Sequence, residues 1–274
     1  MKNVYGKNIF ITGAGSGIGK EAARLFAESG CNVFALSRGI EEKTQVYPSG
    51  GSVTGVKMDV CSEASVENAV HTVLQKCGGI DIVLHCAGMG ISGSAEDSFN
   101  EDIEKIFATN YFGVLRVNRH VLPVMRAQKH GLVLIVSSVA GRVPIPFQSH
   151  YSSTKFALDA YACALRMEIK EFGVKVCLIE PGDTKTGFTA ARTSAMPDTS
   201  PYFEKCTRSG EKMAHDEQNG HSADRPARIA LKLAGKKNPP VRKTVGVAYK
   251  AVMLLMRLLP SRLAMTLIGM LYVK

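Results

Sequence analysis

The chain has 274 residues, of which 45% are hydrophobic and 21% charged, with 34 basic against 24 acidic side chains. This apolar content excludes an intrinsically disordered chain, and 26 glycines without a fixed period exclude a collagen-like one. Residues 225–274 contain 11 basic residues and no acidic residue, whereas residues 1–224 have a net charge of −1. The length predicts one large α/β domain with a substantial core.

The cysteines and the apolar segments bear on the compartment. Seven widely spaced cysteines without a C-x-x-C pair predict free thiols in a reducing compartment, and no metal site. No signal peptide is predicted at the start of the chain. The longest uncharged stretch near the C-terminus, Leu263 to Val273, has 11 residues. A membrane-spanning helix needs about 20. We therefore expect a cytoplasmic protein that does not span a membrane.

Short apolar runs alternate with longer helical patterns along the chain. The runs are almost continuously apolar, which is typical of parallel strands covered on both faces. They predict strands at Asn8–Thr12, Asn32–Leu36, Val53–Met58, Ile80–His85, Leu132–Ser137 and Val174–Glu180. Helices are predicted at about 17–29, 62–77, 99–127 and 151–172. This alternation predicts a single-domain, doubly wound parallel α/β sheet, which binds ligands beyond the carboxyl ends of its strands.

A glycine-rich turn, TGAGSGIG at residues 12–19, joins the first predicted strand to the first predicted helix. Read alone it could be only a tight turn. After a first strand and before a helix, however, it favours a phosphate site, because glycines let the backbone approach the ligand and the helix presents free N–H groups. In this position the phosphate site would hold the pyrophosphate of a dinucleotide, and we assign to it Gly13, Gly15, Ser16, Gly17, Ile18 and Gly19.

The end of the second strand indicates which dinucleotide is bound. An acidic residue there suits a free ribose 2′-hydroxyl, whereas an arginine suits a 2′-phosphate. This chain has Ser37 and Arg38, which favours NADP(H) over NAD. The alternative is a solvated Arg38 that faces Glu41 or Glu42.

Three residues suggest acid–base chemistry. Ser138 follows a strand, and Tyr151 and Lys155 are four residues apart, on one face of a predicted helix. A tyrosine exchanges protons poorly near neutral pH, and a neighbouring ammonium group is expected to lower its pKa. Each residue is ordinary when taken singly.

With these motifs the chain resembles the classical short-chain dehydrogenase/reductase family over about residues 5–185. The resemblance rests on TGAGSGIG, YSSTK at 151–155 and the interval of 13 residues between Ser138 and Tyr151, together with a set of shorter matches: Asp59-Val60, Ala87-Gly88, Asn110 and Pro181-Gly182. It implies a Rossmann-type fold and a nicotinamide dinucleotide cofactor. A departure is His85-Cys86, where the family usually has Asn-Asn or Asn-Ala; we expect His85 to be structural, either replacing hydrogen bonds or acting as an apolar spacer.

The resemblance also implies roles for single residues. Tyr151 would exchange the proton with the substrate oxygen, Ser138 would orient that oxygen, and Lys155 would hold the nicotinamide ribose and lower the pKa of Tyr151. Asn110 would bend its helix and position a water that links Lys155 to solvent. The remaining cofactor contacts would come from Asp59 and Val60 at the adenine, Ala87 and Gly88 along the cofactor, and Pro181, Gly182, Thr184 and Thr186 near the nicotinamide.

The segments that follow suggest the substrate and the partners. Residues 1–245 are predicted to form the catalytic domain, with a substrate lid at about 183–222. Candidate pocket residues are apolar, which fits a hydrophobic substrate: Met89, Ile91, Val139, Val143, Ile145, Phe147, Phe188 and Met196. Residues 246–274 form a basic amphipathic extension that Pro260 divides into two helices. It predicts either peripheral contact with a membrane or a helix pair packed on the protein or in a dimer.

We therefore predict an NADP(H)-dependent oxidoreductase that interconverts a secondary alcohol and a ketone on a steroid-like or other lipid substrate. The alternatives are a reductase of long-chain acyl or sphingoid ketones and a non-catalytic dinucleotide sensor or membrane scaffold. Extensions like this tail occur in family members that act on steroids, retinoids and other lipids. We expect a homo-oligomer, dimer or tetramer, and no nucleic-acid partner, because the basic tail lacks interleaved aromatic residues.

Overall fold

The computed structural model describes residues 3–273, which form a central eight-stranded sheet flanked by helices. The strands of this sheet are β1 (Asn8–Thr12), β2 (Asn32–Ser37), β3 (Thr44–Val46), β4 (Ser52–Lys57), β5 (Ile82–His85), β7 (Gly131–Val136), β8 (Val174–Glu180) and β12 (Arg242–Thr244). Their order is β12-β8-β7-β5-β1-β2-β4-β3, and only the β3–β4 pair is antiparallel. The predicted doubly wound, Rossmann-type parallel sheet is confirmed.

Helices alternate with the strands along the chain. They are α1 (Gly17–Glu28), α2 (Glu63–Cys77), α3 (Asn100–Phe107), α4 (Gly113–Gln128), α5 (Ser149–Glu168), α6 (Phe203–Gln218), α7 (Asp224–Ala234), α8 (Val247–Leu258) and α9 (Ser261–Tyr272). Four short strands lie outside the main sheet: β6 (Ile91–Ser92), β9 (Thr184–Lys185), β10 (Thr193–Ser194) and β11 (His221–Ser222). The six predicted strands are all present within two residues of their predicted bounds, whereas β3, β12 and α7 were not predicted.

The core lies in two layers, one on each face of the sheet. Side chains of one strand alternate between the layers, so that Phe10 packs with α2, α4 and α5 and its neighbours Ile9 and Ile11 pack with α1 and α7. Burial on both faces explains why these strands are continuously apolar. The arrangement leaves the carboxyl ends of β1, β2, β5, β7 and β8 along one edge, where the loops carry the predicted site.

The predicted helix at 99–127 is divided into two. A π-helical turn, Ala108–Phe112, separates α3 from α4, and it contains Asn110. Such turns insert a residue into the helical hydrogen-bond ladder and change the direction of the side chains around them. The interruption thus contains Asn110, the residue at which the family resemblance implied a bend.

The C-terminal extension forms the two helices α8 and α9, which Pro260 separates as predicted. Only Met253, Ala264 and Ile268 are buried among their residues. Within residues 3–273, none of the helices combines the length and the apolar character that crossing a membrane would require.

Candidate active site

The glycine turn packs tightly against the ends of two strands. Gly13 has a φ of +64°, and a Cβ there would lie 2.6 Å from the backbone nitrogen of Ala87. A Cβ on Gly19 would lie 2.5 Å from the Gly13 carbonyl oxygen, and one on Gly15 would lie 2.7 Å from the Ser37 hydroxyl. There is thus no room for a side chain at three positions of the turn. Because these positions are glycines, Ser37 and Ala87 can lie directly beside the turn.

The turn ends at the N-terminus of α1, where Ser16 is the capping residue. Its side chain makes no capping hydrogen bond, and the first turn of α1, with Gly17 and Ile18, holds no acidic residue. The backbone N–H groups of this turn are therefore free to bind an anion. The side chain of Thr186 lies 3.5 Å from the position that a Cβ on Gly17 would take. A bare backbone cradle at a helix N-terminus fits the pyrophosphate of a dinucleotide.

Arg38 lies just beyond β2 and its side chain is exposed. The two glutamates that were considered as its partners pair with lysines instead: Glu41 lies 2.6 Å from Lys43, and Glu42 lies 3.9 Å from Lys57. Arg38 directly follows Ser37, whose hydroxyl adjoins the glycine turn, and the acidic side chains of its own loop are engaged elsewhere.

Asp59 and Val60 follow β4. The Asp59 carboxylate accepts a hydrogen bond from the Cys61 N–H at 2.9 Å, which stabilises the turn before α2. Val60 is buried and contacts Gly113, where an added Cβ would lie 2.9 Å from a Val60 methyl group. Both residues lie at the strand-end edge of the sheet, as predicted.

The fully buried Asn110 ties three elements together. Its Oδ1 accepts a hydrogen bond from the Met89 N–H at 2.8 Å, and its Nδ2 donates to the Met89 carbonyl at 2.9 Å and to the Thr154 hydroxyl at 3.2 Å. The π-helical turn aims the amide at the loop after β5 and at α5. A Cβ on Gly88 would lie 3.4 Å from Oδ1 and 4.0 Å from Lys155 Nζ, so Asn110, Gly88 and Lys155 are neighbours.

Ser138, Tyr151 and Lys155 meet at the ends of β7 and α5. Ser138 caps a short 3₁₀ turn, Val139–Gly141, by accepting a hydrogen bond from the Ala140 N–H at 3.1 Å. Its hydroxyl is near enough to the Tyr151 phenol to act on the phenol's pKa. Lys155 is buried and donates to the Val136 carbonyl at 3.1 Å. Its Nζ lies 5.6 Å from the centre of the Tyr151 ring. The structure thus brings the three predicted residues together.

The pKa of Tyr151 differs from the sequence-based expectation. Burial raises it to about 12; the influence of the Ser138 hydroxyl acts in the opposite direction but is weaker. Burial also lowers the pKa of Lys155 to about 8, and the Lys155 charge lies at the face of the ring rather than at the phenol oxygen. Among the protein's own groups, Lys155 therefore does not lower the pKa of Tyr151, and the prediction that it does is wrong. Tyr151 is a protonated phenol at neutral pH.

The turn after β8 closes the site from the other side. The Pro181 carbonyl accepts a hydrogen bond from the Val139 N–H at 2.9 Å, and the Thr184 hydroxyl donates to the Gly182 carbonyl at 2.9 Å. Together with the contact between Thr186 and the glycine turn, these bonds place the segment 181–186 between the turn and Ser138.

His85 has a structural environment, as predicted. It is buried at the end of β5, where its Nε2 and the Asn118 Oδ1 are 2.9 Å apart, and Asn118 donates in turn to the Tyr161 hydroxyl at 3.1 Å. Burial lowers the pKa of His85 to about 4, so it is neutral near pH 7. Of the two alternatives, His85 follows the first: it makes hydrogen bonds rather than acting as an apolar spacer.

Apolar side chains adjoin Tyr151. Its ring lies 5.8 Å from that of Phe188, and Met89 and Ile91 pack in the same cluster. Met196 is buried beside this cluster, where its sulfur accepts a hydrogen bond from the Ser94 N–H. Phe147, whose φ is +60°, accepts a backbone hydrogen bond from Gly93.

Three residues near the site were missed by the sequence reading. Arg192 and Glu217 form an ion pair that is largely buried, and Tyr249 of α8 packs on Gly182. These contacts join residues that are 25 and 67 positions apart, and no local pattern marks them. They can be identified only from the three-dimensional fold, in which the position of the C-terminal helices is known.

The sequence and the fold are similar to those of known proteins. The sequence model of the short chain dehydrogenases matches residues 7–197. The chain is 36% identical over 240 residues to a 3-ketodihydrosphingosine reductase of Bacteroides thetaiotaomicron, with 87% of each chain covered. It is 28% identical over 286 residues to retinol dehydrogenase 8 of Bos taurus, and the alignment covers 98% of this chain and 88% of the relative.

The fold is also that of a solved short chain dehydrogenase/reductase from Burkholderia phymatum in complex with NAD. The TM-score is 0.81 at 22% identity, with 94% of this chain and 95% of that chain covered. Family match, relatives and fold lead to one assignment: the chain is an oxidoreductase that belongs to the short-chain dehydrogenase/reductase family.

Proposed function

We propose that the protein is an NADP(H)-dependent oxidoreductase that interconverts a secondary alcohol and a ketone on a hydrophobic substrate. The observation that carries this proposal is the Tyr151 phenol, whose pKa the Ser138 hydroxyl lowers, beside the buried Lys155 and next to the apolar ring of Phe188. A binding-only relative has no need of this proton-transfer set.

The chain's own residues have the following tasks. Tyr151, protonated at neutral pH, donates its proton to the carbonyl oxygen during reduction. In the reverse direction its phenolate form takes the proton from the alcohol. Ser138 holds that oxygen by a hydrogen bond. Lys155 and the segment 181–186 bind the nicotinamide half of the cofactor, and the glycine turn binds its pyrophosphate. Asn110 fixes the loop after β5 against α5, beside Lys155. A bound nicotinamide dinucleotide supplies or accepts the hydride.

The preference for NADP(H) rests on Arg38. Its side chain is exposed directly after Ser37, while Glu41 and Glu42 pair with lysines, so it is available for a 2′-phosphate. No acidic residue stands at the end of β2, where a free ribose 2′-hydroxyl would be bound. The NAD complex of the Burkholderia phymatum protein is a property of that protein, and Arg38 argues for the phosphorylated cofactor here.

Lipid substrates suit the apolar cluster around Tyr151. The two relatives are named for 3-ketodihydrosphingosine and for retinol, and the class we propose here is a steroid-like or other lipid alcohol or ketone. The second candidate, a sphingoid or long-chain acyl ketone, is favoured by the similarity to the 3-ketodihydrosphingosine reductase. We propose that residues 183–222 form the lid over this substrate, because β10 pairs with β6 beside Tyr151 and β11 pairs with β9.

Two surfaces suggest partners. The extension 246–274 exposes apolar side chains on both helices together with Lys250, Arg257 and Arg262, and we propose that it touches an anionic membrane from the cytoplasmic side. Exposed Phe112, Phe156 and Met167 lie around α4 and α5 and support a homo-oligomer, dimer or tetramer.

A binding and activity screen tests the proposal. NADPH fluorescence titration is followed by NADPH oxidation with steroid, retinoid, sphingoid and aliphatic ketones. Tyr151→Phe should lower turnover about 10² to 10⁴-fold and leave NADPH affinity nearly unchanged, because only a hydroxyl is removed. Tyr47→Phe, the same change at a distant position after β3, is the control and should behave like the wild type. Tight NADPH binding without turnover of any ketone would instead support the non-catalytic sensor or scaffold.

A further inference from the structure

A buried guanidinium lies beside the proposed catalytic tyrosine. Arg192 directly precedes β10, whose Thr193 is paired with Ile91 of β6, and this register places Arg192 opposite Gly90. Its side chain is only 6% exposed. One of its terminal nitrogens forms an ion pair with Glu217 at the end of α6, and Glu217 also accepts a hydrogen bond from the Thr189 hydroxyl.

Among residues 3–273, the buried Nε–H of Arg192 has no hydrogen-bond partner. A Cβ on Gly90 would lie 3.7 Å from this Nε and 2.9 Å from the Phe188 ring. Phe188 in turn lies against Tyr151, with 5.8 Å between the ring centres. The free donor is therefore part of the apolar cluster in which the substrate would meet Tyr151.

This arrangement is costly unless a ligand completes it. A buried ion pair loses hydration on both sides, and a buried donor without an acceptor costs roughly 1–3 kcal/mol. A purely structural contact within the lid, between the segment before β10 and α6, requires the ion pair with Glu217 but gains nothing from an unpaired Nε–H. The charges of Glu217 and Arg192 also act on the pKa of Tyr151, the first raising it and the second lowering it, which agrees with their nearness to the phenol.

We propose that Arg192 is a substrate-binding residue, whose Nε–H donates a hydrogen bond to a substrate oxygen close to the carbon that reacts. The substrate class is then an amphipathic ketone or alcohol with an acceptor oxygen, such as an ester carbonyl or a hydroxyl, near the reacting end of an apolar chain. The oxygen belongs to a neutral group, because Glu217 already balances the guanidinium and would repel a second carboxylate. This inference rests on the proposed function, since it takes Tyr151 as the reacting centre.

The test compares matched substrates. Methyl 3-oxodecanoate carries an ester carbonyl two carbons from its ketone, whereas 5-dodecanone has the same length and shape without the ester oxygens. We expect the wild type to prefer the keto ester at least about tenfold in kcat/KM, the scale of one hydrogen bond to a charged group. The free acid, 3-oxodecanoate, should be a poorer substrate than its methyl ester.

The decisive variant is Arg192→Lys, which keeps a cation for Glu217 and so keeps the contact between the segment before β10 and α6. It should lose about tenfold or more in kcat/KM for the keto ester, mostly through KM, and leave 5-dodecanone and NADPH affinity unchanged. Arg228→Lys, the same change in the exposed pair with Asp224, is the control.

The outcomes separate the two proposals. Equal losses on both ketones, or a wild type that turns both over without preference, would show that Arg192 only holds the lid and would overturn the inference alone. A preference for the free acid would overturn the neutral acceptor. A wild type that binds NADPH but reduces no ketone would overturn the proposed function, and the inference with it.

Discussion

The ring of Tyr249 lies directly against the backbone of Gly182, where a Cβ would come within 2.2 Å of the ring carbons. The Tyr249 hydroxyl accepts a hydrogen bond from the Asp183 N–H at 3.0 Å and donates one to the Asp183 carboxylate. The Asp183 carbonyl in turn accepts from the His221 N–H at 3.0 Å, just before α7. Asp183 thus joins the turn after β8 to the lid and to the C-terminal helix α8.

Removal of the Tyr249 hydroxyl should loosen the proposed nicotinamide end of the cofactor site. Tyr249→Phe keeps the ring against Gly182 but breaks both hydrogen bonds to Asp183, each of which contributes about 0.5–1.5 kcal/mol. We expect NADPH to bind up to about tenfold more weakly in a fluorescence titration, with a small fall in Tm. Tyr272→Phe on α9, whose hydroxyl makes no hydrogen bond within the described residues, is the control. Unchanged NADPH affinity in Tyr249→Phe would show that α8 packs on this turn without supporting it.

Replacement of Arg38 should separate the two nicotinamide cofactors. Arg38→Ala should weaken NADPH binding by about 1.5–3 kcal/mol, the contribution of a charge-assisted hydrogen bond, and leave NADH binding almost unchanged. Lys43→Ala removes a positive charge from the same loop and is the control, because Lys43 pairs with Glu41. Equal losses of NADPH and NADH affinity would contradict the assignment of Arg38 to the 2′-phosphate.

The buried Lys155 should make stability depend on pH. Its pKa is lowered from 10.5 to about 8 in the folded protein, so between these values the unfolded chain binds more protons than the folded one. Stability therefore rises with pH across this window, and the cost of burying the charged lysine is fully present below pH 8. Tyr151 does not interfere, because its shift, from 10 to about 12, acts only above pH 10.

Urea unfolding measures this contribution as a difference between proteins. Between about pH 7.5 and 9.5, wild-type stability should rise relative to that of Lys155→Met by about 1–2 kcal/mol. Other titrating groups are common to both proteins and cancel in the comparison. Parallel pH profiles for the two proteins would contradict a lowered pKa at Lys155.

The features that could be read from the sequence are those with a local cause. A buried parallel strand must be continuously apolar, and a phosphate turn needs its glycines, so the strands, Gly13 to Gly19 and the Tyr151–Lys155 pair were all visible in short segments. Ser138 could be placed because strand ends meet at one edge of the sheet. The electrostatics at Tyr151 could not be read, because the pKa depends on burial that the assembled fold creates.

Contacts between distant segments explain the remaining gaps. The Arg192–Gly90 contact depends on the pairing of β10 with β6, which are two-residue strands without a recognisable pattern. The β12 strand is a short polar segment, Arg242–Thr244, and it extends the sheet because Val245 is buried behind it and Arg242 binds Asp159 at 2.6 Å. Tertiary contacts rather than propensity select these elements.

The last prediction concerns the C-terminal helices and follows from what they expose. Within α8 and α9, Lys250, Arg257 and Arg262 are exposed and no acidic residue is present. The apolar side chains that are at least 39% exposed on these helices include Val252, Leu254, Leu255, Leu258, Leu263, Met265, Leu267, Met270 and Leu271. An exposed apolar surface of this extent beside basic residues fits the interface of an anionic bilayer, where each basic residue contributes about 1 kcal/mol.

Sedimentation with vesicles tests this in the full-length chain. Arg257→Gln with Arg262→Gln should lower the partition coefficient on phosphatidylserine-containing vesicles about 30-fold, since about 2 kcal/mol is removed. Leu254→Asp with Leu258→Asp should abolish binding without unfolding, because both leucines are at least 60% exposed. Lys105→Gln with Arg119→Gln removes the same charge from α3 and α4 and should leave binding unchanged. The wild type should bind neutral phosphatidylcholine vesicles weakly, and salt should release it from anionic ones. Wild-type protein that stays in the supernatant with anionic vesicles, or equal sedimentation of all variants, would show that these helices do not contact lipid and would leave their apolar faces to a protein interface.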